Sequence, residues 1–276
     1  MTTALALPSS TTALPSTLRT GLSRGGVELR MFFRDKGAVI FTFSFPAIVL
    51  ALLGSINDEP GPGSPMSQVL AASMIAYGIL STAFISIGTG IANDREDGTL
   101  KRLRGTPVNA GAYFIGKTVL VAVASLAEVA LLLAVGVLMF DLELPTDPGR
   151  WLTFGWLLAL SIVACTLLGI AASGLARTAR SAAAVLNLPV LVLQFTSGVF
   201  VHISSLPEAM VRVAAFFPVR WMGQGFRSVF LPDSMAAGEV AGSWEHPVTA
   251  LVLGAWCLIG LVLCLTTFRW TDKRAG

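Results

Sequence analysis

Six stretches of about 20 apolar residues, enough to cross the hydrocarbon core of a bilayer, recur along this chain. They are 37–56 (GAVIFTFSFPAIVLALLGSI), 68–92, 117–140, 151–175, 182–203 and 247–268. In hydrocarbon every backbone N–H and C=O must find its partner within the protein, which leaves helices and closed barrels as spanning structures. The apolar residues come in long runs rather than periodic stripes, so the runs read as helices. Composition agrees: only 13% of the 276 residues are charged, about half the fraction of a soluble domain. The expected fold class is an all-α integral membrane protein with six transmembrane helices. An even number of spans puts both termini on one side.

The formal charge of +3 is distributed in a way that chooses that side. With both termini cytoplasmic, 15 of the 19 Lys and Arg face inward: Arg19, Arg24, Arg30, Arg34, Lys36, Arg95, Lys101, Arg102, Arg104, Lys117, Arg177, Arg180, Arg269, Lys273 and Arg274. The outer loops keep Arg150, Arg212, Arg220 and Arg227 against nine acids. This is the positive-inside pattern of a plasma-membrane protein and needs no nucleic acid to explain the basic balance.

Residues 1–16 are rich in Thr, Ser, Ala and Pro, without the basic start or apolar core of a secretory signal. They read as a disordered cytoplasmic tail ahead of a single transmembrane domain, 17–276. Within it, residues 17–35 form a basic amphipathic helix. Leu18, Leu22, Leu29 and Phe33 share an arc while the arginines point elsewhere, the pattern of a helix lying in the membrane interface. Loops 57–67 and 141–150 are short and acidic. The segment 204–246 is too polar to span and too apolar to float free, and Pro207 and Pro218 mark two short helices, expected to be half-buried on the outer face.

Cys165, Cys257 and Cys264 sit in apolar runs and read as small core residues. His202 and His246 stand far apart without a ligand cluster, so neither metal nor another cofactor is expected on this chain. GAYFIGKT (Gly111 to Thr118) matches the phosphate-loop pattern G-x-x-x-x-G-K-[ST]. A phosphate loop needs a strand before it and a soluble nucleotide fold around it. Here a turn precedes it and a span follows, so the match reads as coincidence and Lys117 as a lysine snorkelling to the interface.

NDREDGTLKRLRGTP (Asn93 to Pro107) has the grammar of a short helix. Asn93 with Glu96 makes a capping-box-like start, and Gly105, Thr106 and Pro107 make a stop. Asp94, Glu96 and Asp97 suit its positive end, while Lys101, Arg102 and Arg104 suit its negative end. Such a helix is about 16 Å long and carries Leu100 and Leu103 on one face as exposed leucines. The stretch RE-x-GTL-x-x-L-x-x-TP, carried by Arg95, Glu96, Gly98, Thr99, Leu100, Leu103, Thr106 and Pro107, resembles the first cytoplasmic loop of ABC-2 type exporter permeases, the daunorubicin-resistance-like membrane subunits. A second block, SGVFVHISSLPEAMVRVAAFFPVRW followed by GFRSVF (Ser197 to Phe230), resembles the family's SG…LP…P…R pattern. Val201-His202 departs from it, because many relatives carry a proline shortly after SGVF. The resemblance covers residues 17–270.

The resemblance implies a permease that pairs with a second copy, as a homodimer, above two separate ATPase subunits, with ATP and Mg held by the ATPases. The 94–105 helix would be the coupling helix, acting through Arg95, Glu96, Gly98, Thr99, Leu100, Leu103 and Arg104. The chain itself would perform no covalent chemistry. It would export a hydrophobic or amphipathic molecule (drug, antibiotic or lipid) across a bacterial plasma membrane. The alternative within the family is a lipid-linked polysaccharide or other envelope component.

Glu128 is the one carboxylate deep in a span, and an ionisable group at that depth is a functional candidate. It would carry a proton, contact a cationic drug, or pair with Ser125 or Gln194. Asn187, Gln194, Phe195 and Phe200 on the fifth span and Phe43, Phe45 and Pro46 on the first are candidates for the substrate path or the dimer interface. A proton-coupled carrier with Glu128 as relay is the rival from another class, and it lacks the internal repeat such carriers show. A membrane-embedded hydrolase lacks a paired set of catalytic groups.

Overall fold

The computed structural model describes residues 16–56, 65–106, 109–176, 178–200 and 203–267. The expected tail, most of the loop 57–67, Pro107, Arg177, Val201-His202 and the C-terminal basic residues lie outside the described residues. Within them the chain is helical, with no strand. The helices are α1 (Thr17–Arg34), α2 (Lys36–Ile56), α3 (Pro65–Leu80), α4 (Ile87–Glu96), α5 (Thr99–Arg104), α6 (Ala110–Phe140), α7 (Pro148–Ala172), α8 (Ala179–Thr196), α9 (Glu208–Ala214), α10 (Pro218–Phe230) and α11 (His246–Thr267). A π-helical stretch, Ser81–Ser86, joins α3 to α4 without a break. Six helices are long and apolar enough to cross a membrane: Lys36–Ile56, Met66–Glu96, Gly111–Phe140, Pro148–Ala172, Ala179–Thr196 and His246–Thr267.

The second span is the hub. Of its most apolar window 72% is buried, against 22% for the first, 22% for the fifth and 17% for the sixth. Ala71, Ala72, Ala76 and Ala83 give it a slim surface on which neighbours approach closely. It packs along α2, α6 and α10 through α3, against α7 through the π stretch, and against α7 and α8 through α4. At the π stretch the backbones nearly touch. A Cβ at Gly169 of α7 would fall 2.7 Å from the Phe84 carbonyl oxygen, so only glycine fits there.

α1 lies against the start of α6, and its buried stripe is Gly21, Gly25 and Glu28. The two glycines let the helices meet at backbone distance: a Cβ at Gly21 would come within 2.6 Å of Ile115, and one at Gly25 within 2.7 Å of Val119. Leu18, Leu22 and Phe33, on the expected apolar arc, stay exposed on the opposite side. Apart from Phe33, which meets Phe43 of α2, that face is left open, as an interfacial helix requires.

The segment between α8 and α11 departs from expectation in one respect. Pro207 and Pro218 do start helices, as N-cap of α9 and first residue of α10. α10, however, is buried along its whole length rather than half-buried. The reason lies in its polar side chains, each of which makes at least one hydrogen bond within the protein, although Arg220 Nε and Gln224 Oε1 have no partner among the described residues. Arg227 Nε donates to Glu239 at 2.6 Å and its Nη1 to the Gly198 carbonyl at 3.1 Å. Gln224 Nε2 donates to the Trp244 carbonyl at 3.2 Å, and Ser228 Oγ lies 2.7 Å from His246 Nε2. Bonded in this way, a helix too polar to span is held inside the acidic end of the bundle.

Gly25→Val should press a side chain into Val119 and lower the thermal unfolding temperature in detergent, by the ~1–3 kcal/mol typical of overpacking. Gly26→Ala, at a position where a Cβ meets nothing within 4 Å, should leave it unchanged or raised.

Candidate functional site

Two features draw attention: the turn that follows the second span, and a groove between the first, second and fifth spans. The turn is built differently from its sequence grammar. Asn93 does not start a helix, since α4 runs unbroken through it to Glu96 and ends at Asp97. The helix start is instead Gly98, in the left-handed region at φ 78°, followed by the six residues of α5. Asp97 Oδ1 accepts the Thr99 amide at 2.8 Å. The Thr99 hydroxyl and amide together hold the Asp97 carboxyl below the usual carboxylate range. α5 is therefore about 9 Å long at 1.5 Å per residue, not 16 Å.

Arg95 and Glu96 point back into the protein. Arg95 donates to the Ser173 carbonyl at 3.2 Å, at the C-terminus of α7, and Glu96 Oε2 accepts the Ala179 amide at 2.5 Å, at the N-terminus of α8. A cation thus sits on a negative helix end and an anion on a positive one. Together they tie the turn to the 173–178 connection. Leu100 and Leu103 are not an exposed pair: Leu100 is 0% exposed and Leu103 is half-buried. What α5 presents outward is Lys101, Arg102 and Arg104.

Beside this turn lies a buried charge cluster. Lys117 Nζ sits 2.9 Å from Glu28 Oε2 and 2.8 Å from Asp94 Oδ2. Tyr113 Oη donates to the same Asp94 oxygen at 2.7 Å, and Arg24 meets Glu28 at 2.7 Å. Lys117 is 4% exposed, so it does not snorkel outward; it is drawn in by two carboxylates. Gly111 to Thr118 are the opening turns of α6, with the Gly111 amide capped by Asn109 Oδ1 at 3.1 Å and the Ala112 amide bonded to the Asn109 carbonyl at 2.9 Å. That leaves the GAYFIGKT match neither a phosphate cradle nor a free lysine. Sequence reasoning missed Glu28, Asp94 and Tyr113. The available signal was a lone acid on the α1 stripe facing a lone base inside a span.

Glu128 is 1% exposed, and its partner is Thr82 of the π stretch, whose hydroxyl donates at 2.9 Å. Neither Ser125 nor Gln194 pairs with it, contrary to expectation. A Cβ at Gly78 would lie 2.5 Å from the Glu128 carboxylate, so this glycine makes room for it. Among the described residues no cation reaches Glu128.

The groove is lined by Phe45, Tyr77, Ile85, Asn187, Leu191 and Gln194, with a volume near 330 Å³. Asn187 and Gln194 therefore come together, and Tyr77 joins them unforeseen. Phe195 stacks on Phe200 at 5.5 Å beyond the groove. Phe43 stacks on Phe33 at 6.4 Å, at the α1–α2 corner, apart from the groove. Gln194 is 3% exposed with an unpartnered Nε2. Asn187 is exposed on α8 and satisfies only its own helix, donating to the Ala183 carbonyl at 2.7 Å.

Compared with known proteins, residues 27–231 match the sequence profile of the ABC-2 type transporter family. The chain is also 21% identical over 202 residues to "Putative transport permease YvfS" of Bacillus subtilis (strain 168), covering 72% of this chain and 80% of that one.

Leu100→Ala should destabilise the whole fold by ~2–5 kcal/mol, as for other fully buried leucines. Arg104→Ala, on the exposed face, should leave the thermal unfolding temperature in place. The leucine is therefore a poor probe of partner docking and the arginine a clean one.

Proposed function

The chain belongs to the ABC-2 type transporter family, and on that premise we propose that it is the permease subunit of an ATP-driven exporter. A separate ATPase docks on the 97–106 turn. The observation that carries this reading is the division of labour in the turn. Arg95, Glu96, Gly98, Thr99, Leu100 and Leu103 are spent on building and anchoring it, while Lys101, Arg102 and Arg104 are left facing outward. An anchored loop with a free charged face suits a docking surface, where complementary charge selects the partner. The face is cationic, so the matching ATPase surface is acidic. The chain thus acts as a lever rather than an enzyme, with ATP and Mg bound by two ATPase subunits beneath the basic end, which faces the cytoplasm.

The groove supports the rest of the assembly. An exposed amide on a lipid-facing helix is costly in hydrocarbon and marks a protein–protein or substrate-lined face. Asn187, beside Gln194 with its unpartnered Nε2 and the aromatic pair Phe45 and Tyr77, supports reading that face as lying on α2 and α8. A second copy closes over it, and hydrophobic or amphipathic molecules pass between the two. Glu128 lies outside the groove lining and belongs to the packing of the second and third spans.

Mild-detergent purification of the tagged chain from its host should bring an ATPase with it, and the complex should hydrolyse ATP. Reversing the three exposed charges (Lys101→Glu, Arg102→Glu, Arg104→Glu) should strip the ATPase away while leaving the permease folded. A permease that purifies alone, or a complex indifferent to the reversal, overturns the docking assignment.

A further inference from the structure

The basic end of the bundle consists of two packed blocks. In one, α1 is pressed onto α6 through Gly21 and Gly25, with Gly116 of α6 meeting Arg24 in return. In the other, α4 packs along α7 and α8, and Arg95 and Glu96 fasten its end to the 173–178 connection. Helices α1 and α6 have no comparable backbone packing against α4. Deeper in the bundle α6 packs on α7 and on the same second span through α3 and the π stretch. At the level of α4 the blocks meet through side chains, with Lys117 Nζ at 2.8 Å and Tyr113 Oη at 2.7 Å on the same Asp94 oxygen. Asp94 stands three residues before the Asp97-Gly98 turn, on the last turns of α4.

The energetics of this junction favour keeping it shut. Arg24, Glu28, Lys117 and Asp94 carry two charges of each sign, so the cluster is neutral as a whole. Pulling Asp94 away would strand a carboxylate on one side and leave Lys117 with one partner in place of two. Breaking a buried ion pair leaves an uncompensated charge in a site from which water is excluded. Lys117 with two carboxylates, and Asp94 with both Lys117 and Tyr113, form a polar network that in such surroundings is stiff.

We propose that this cluster is a rigid strut between the docking turn and the third span. Displacement of the 97–106 turn is carried through Asp94 to Lys117 and Tyr113. It thereby moves α6 and the interfacial helix α1 together with the end of the second span. Lys117, Tyr113, Asp94 and Glu28 are positioning residues: they touch no transported molecule, and they set how far motion at the turn reaches into the bundle. The proposal rests on the permease reading above.

The test is a distance measurement by pulsed electron paramagnetic resonance. Spin labels are placed at Ser23 of α1 and Asn93 of α4, both exposed, in a background with Cys165, Cys257 and Cys264 replaced by alanine. The permease–ATPase complex is examined without nucleotide and after trapping with ATP and vanadate. In the native cluster a single separation should persist in both states. The triple variant Lys117→Met, Asp94→Leu, Tyr113→Phe replaces the junction by apolar groups and leaves Arg24 and Glu28 as a balanced pair. It should fold and show a second, shifted separation on trapping. Lys117→Met alone, which leaves two carboxylates against one arginine, should unfold at lower temperature than the triple variant.

A change of separation on trapping in the native protein overturns the strut by itself, because the junction then opens during turnover. A triple variant with native separations in both states also overturns it, leaving the cluster as packing alone. A preparation in which no ATPase is present to trap nucleotide fails the permease reading instead, so the two failures are distinguishable.

Discussion

Lys117 stands two turns into the third span, where an isolated ammonium would cost several kcal/mol to desolvate. The protein brings the counter-charges to it: Glu28 from α1 and Asp94 from α4 converge on one nitrogen, and the basic end of the bundle is arranged around that meeting. α1 has to lie along α6 so that Glu28 arrives, and Gly21 and Gly25 allow it. α4 has to run past the apolar stretch to Glu96 so that Asp94 arrives. The same rule operates at the acidic end, where Arg227 and Glu239 are buried together and the whole of α10 is buried with them. Glu128 follows it in weaker form, with a hydroxyl in place of a cation.

Helix ends supply the second organising force. Three meet near the 93–106 stretch: the end of α4, the end of α7 and the start of α8. Adjacent residues of opposite sign answer two of them, Arg95 at the α7 carbonyl end and Glu96 at the α8 amide end. The turn is thereby fixed to the connection between the fourth and fifth spans, and through Asp94 to α1 and α6. This short segment ends the second span and touches the third, fourth and fifth. The three cations it leaves outward are what remains once those internal demands are met.

Much of this architecture was legible in the chain. The six spans, the amphipathic α1 with its outward Leu18, Leu22 and Phe33, and the proline-started helices α9 and α10 all follow from apolar run length, helical period and turn residues. The motif around Arg95 to Thr106 was visible too, but its geometry was not. Reading Asn93 and Glu96 as a capping box assumes that a helix begins there. The side chains of Arg95 and Glu96 were in fact taken by helix ends some 80 residues away. Leu100 and Leu103, two apolar residues in a charged segment, looked exposed because their burying surface belongs to other parts of the chain.

The sequence by itself determined that the chain crosses a bilayer six times as helices, because hydrocarbon thickness and backbone hydrogen bonding allow few solutions for runs of that length. It also marked the charges that could not stay alone. Only the tertiary structure decided who answers them: Lys117 with Glu28 and Asp94, Glu128 with Thr82, Glu96 with the start of α8. Those pairings join residues 23 to 89 positions apart. No local spacing encodes them, since each is selected by which helices pack side by side and at what depth.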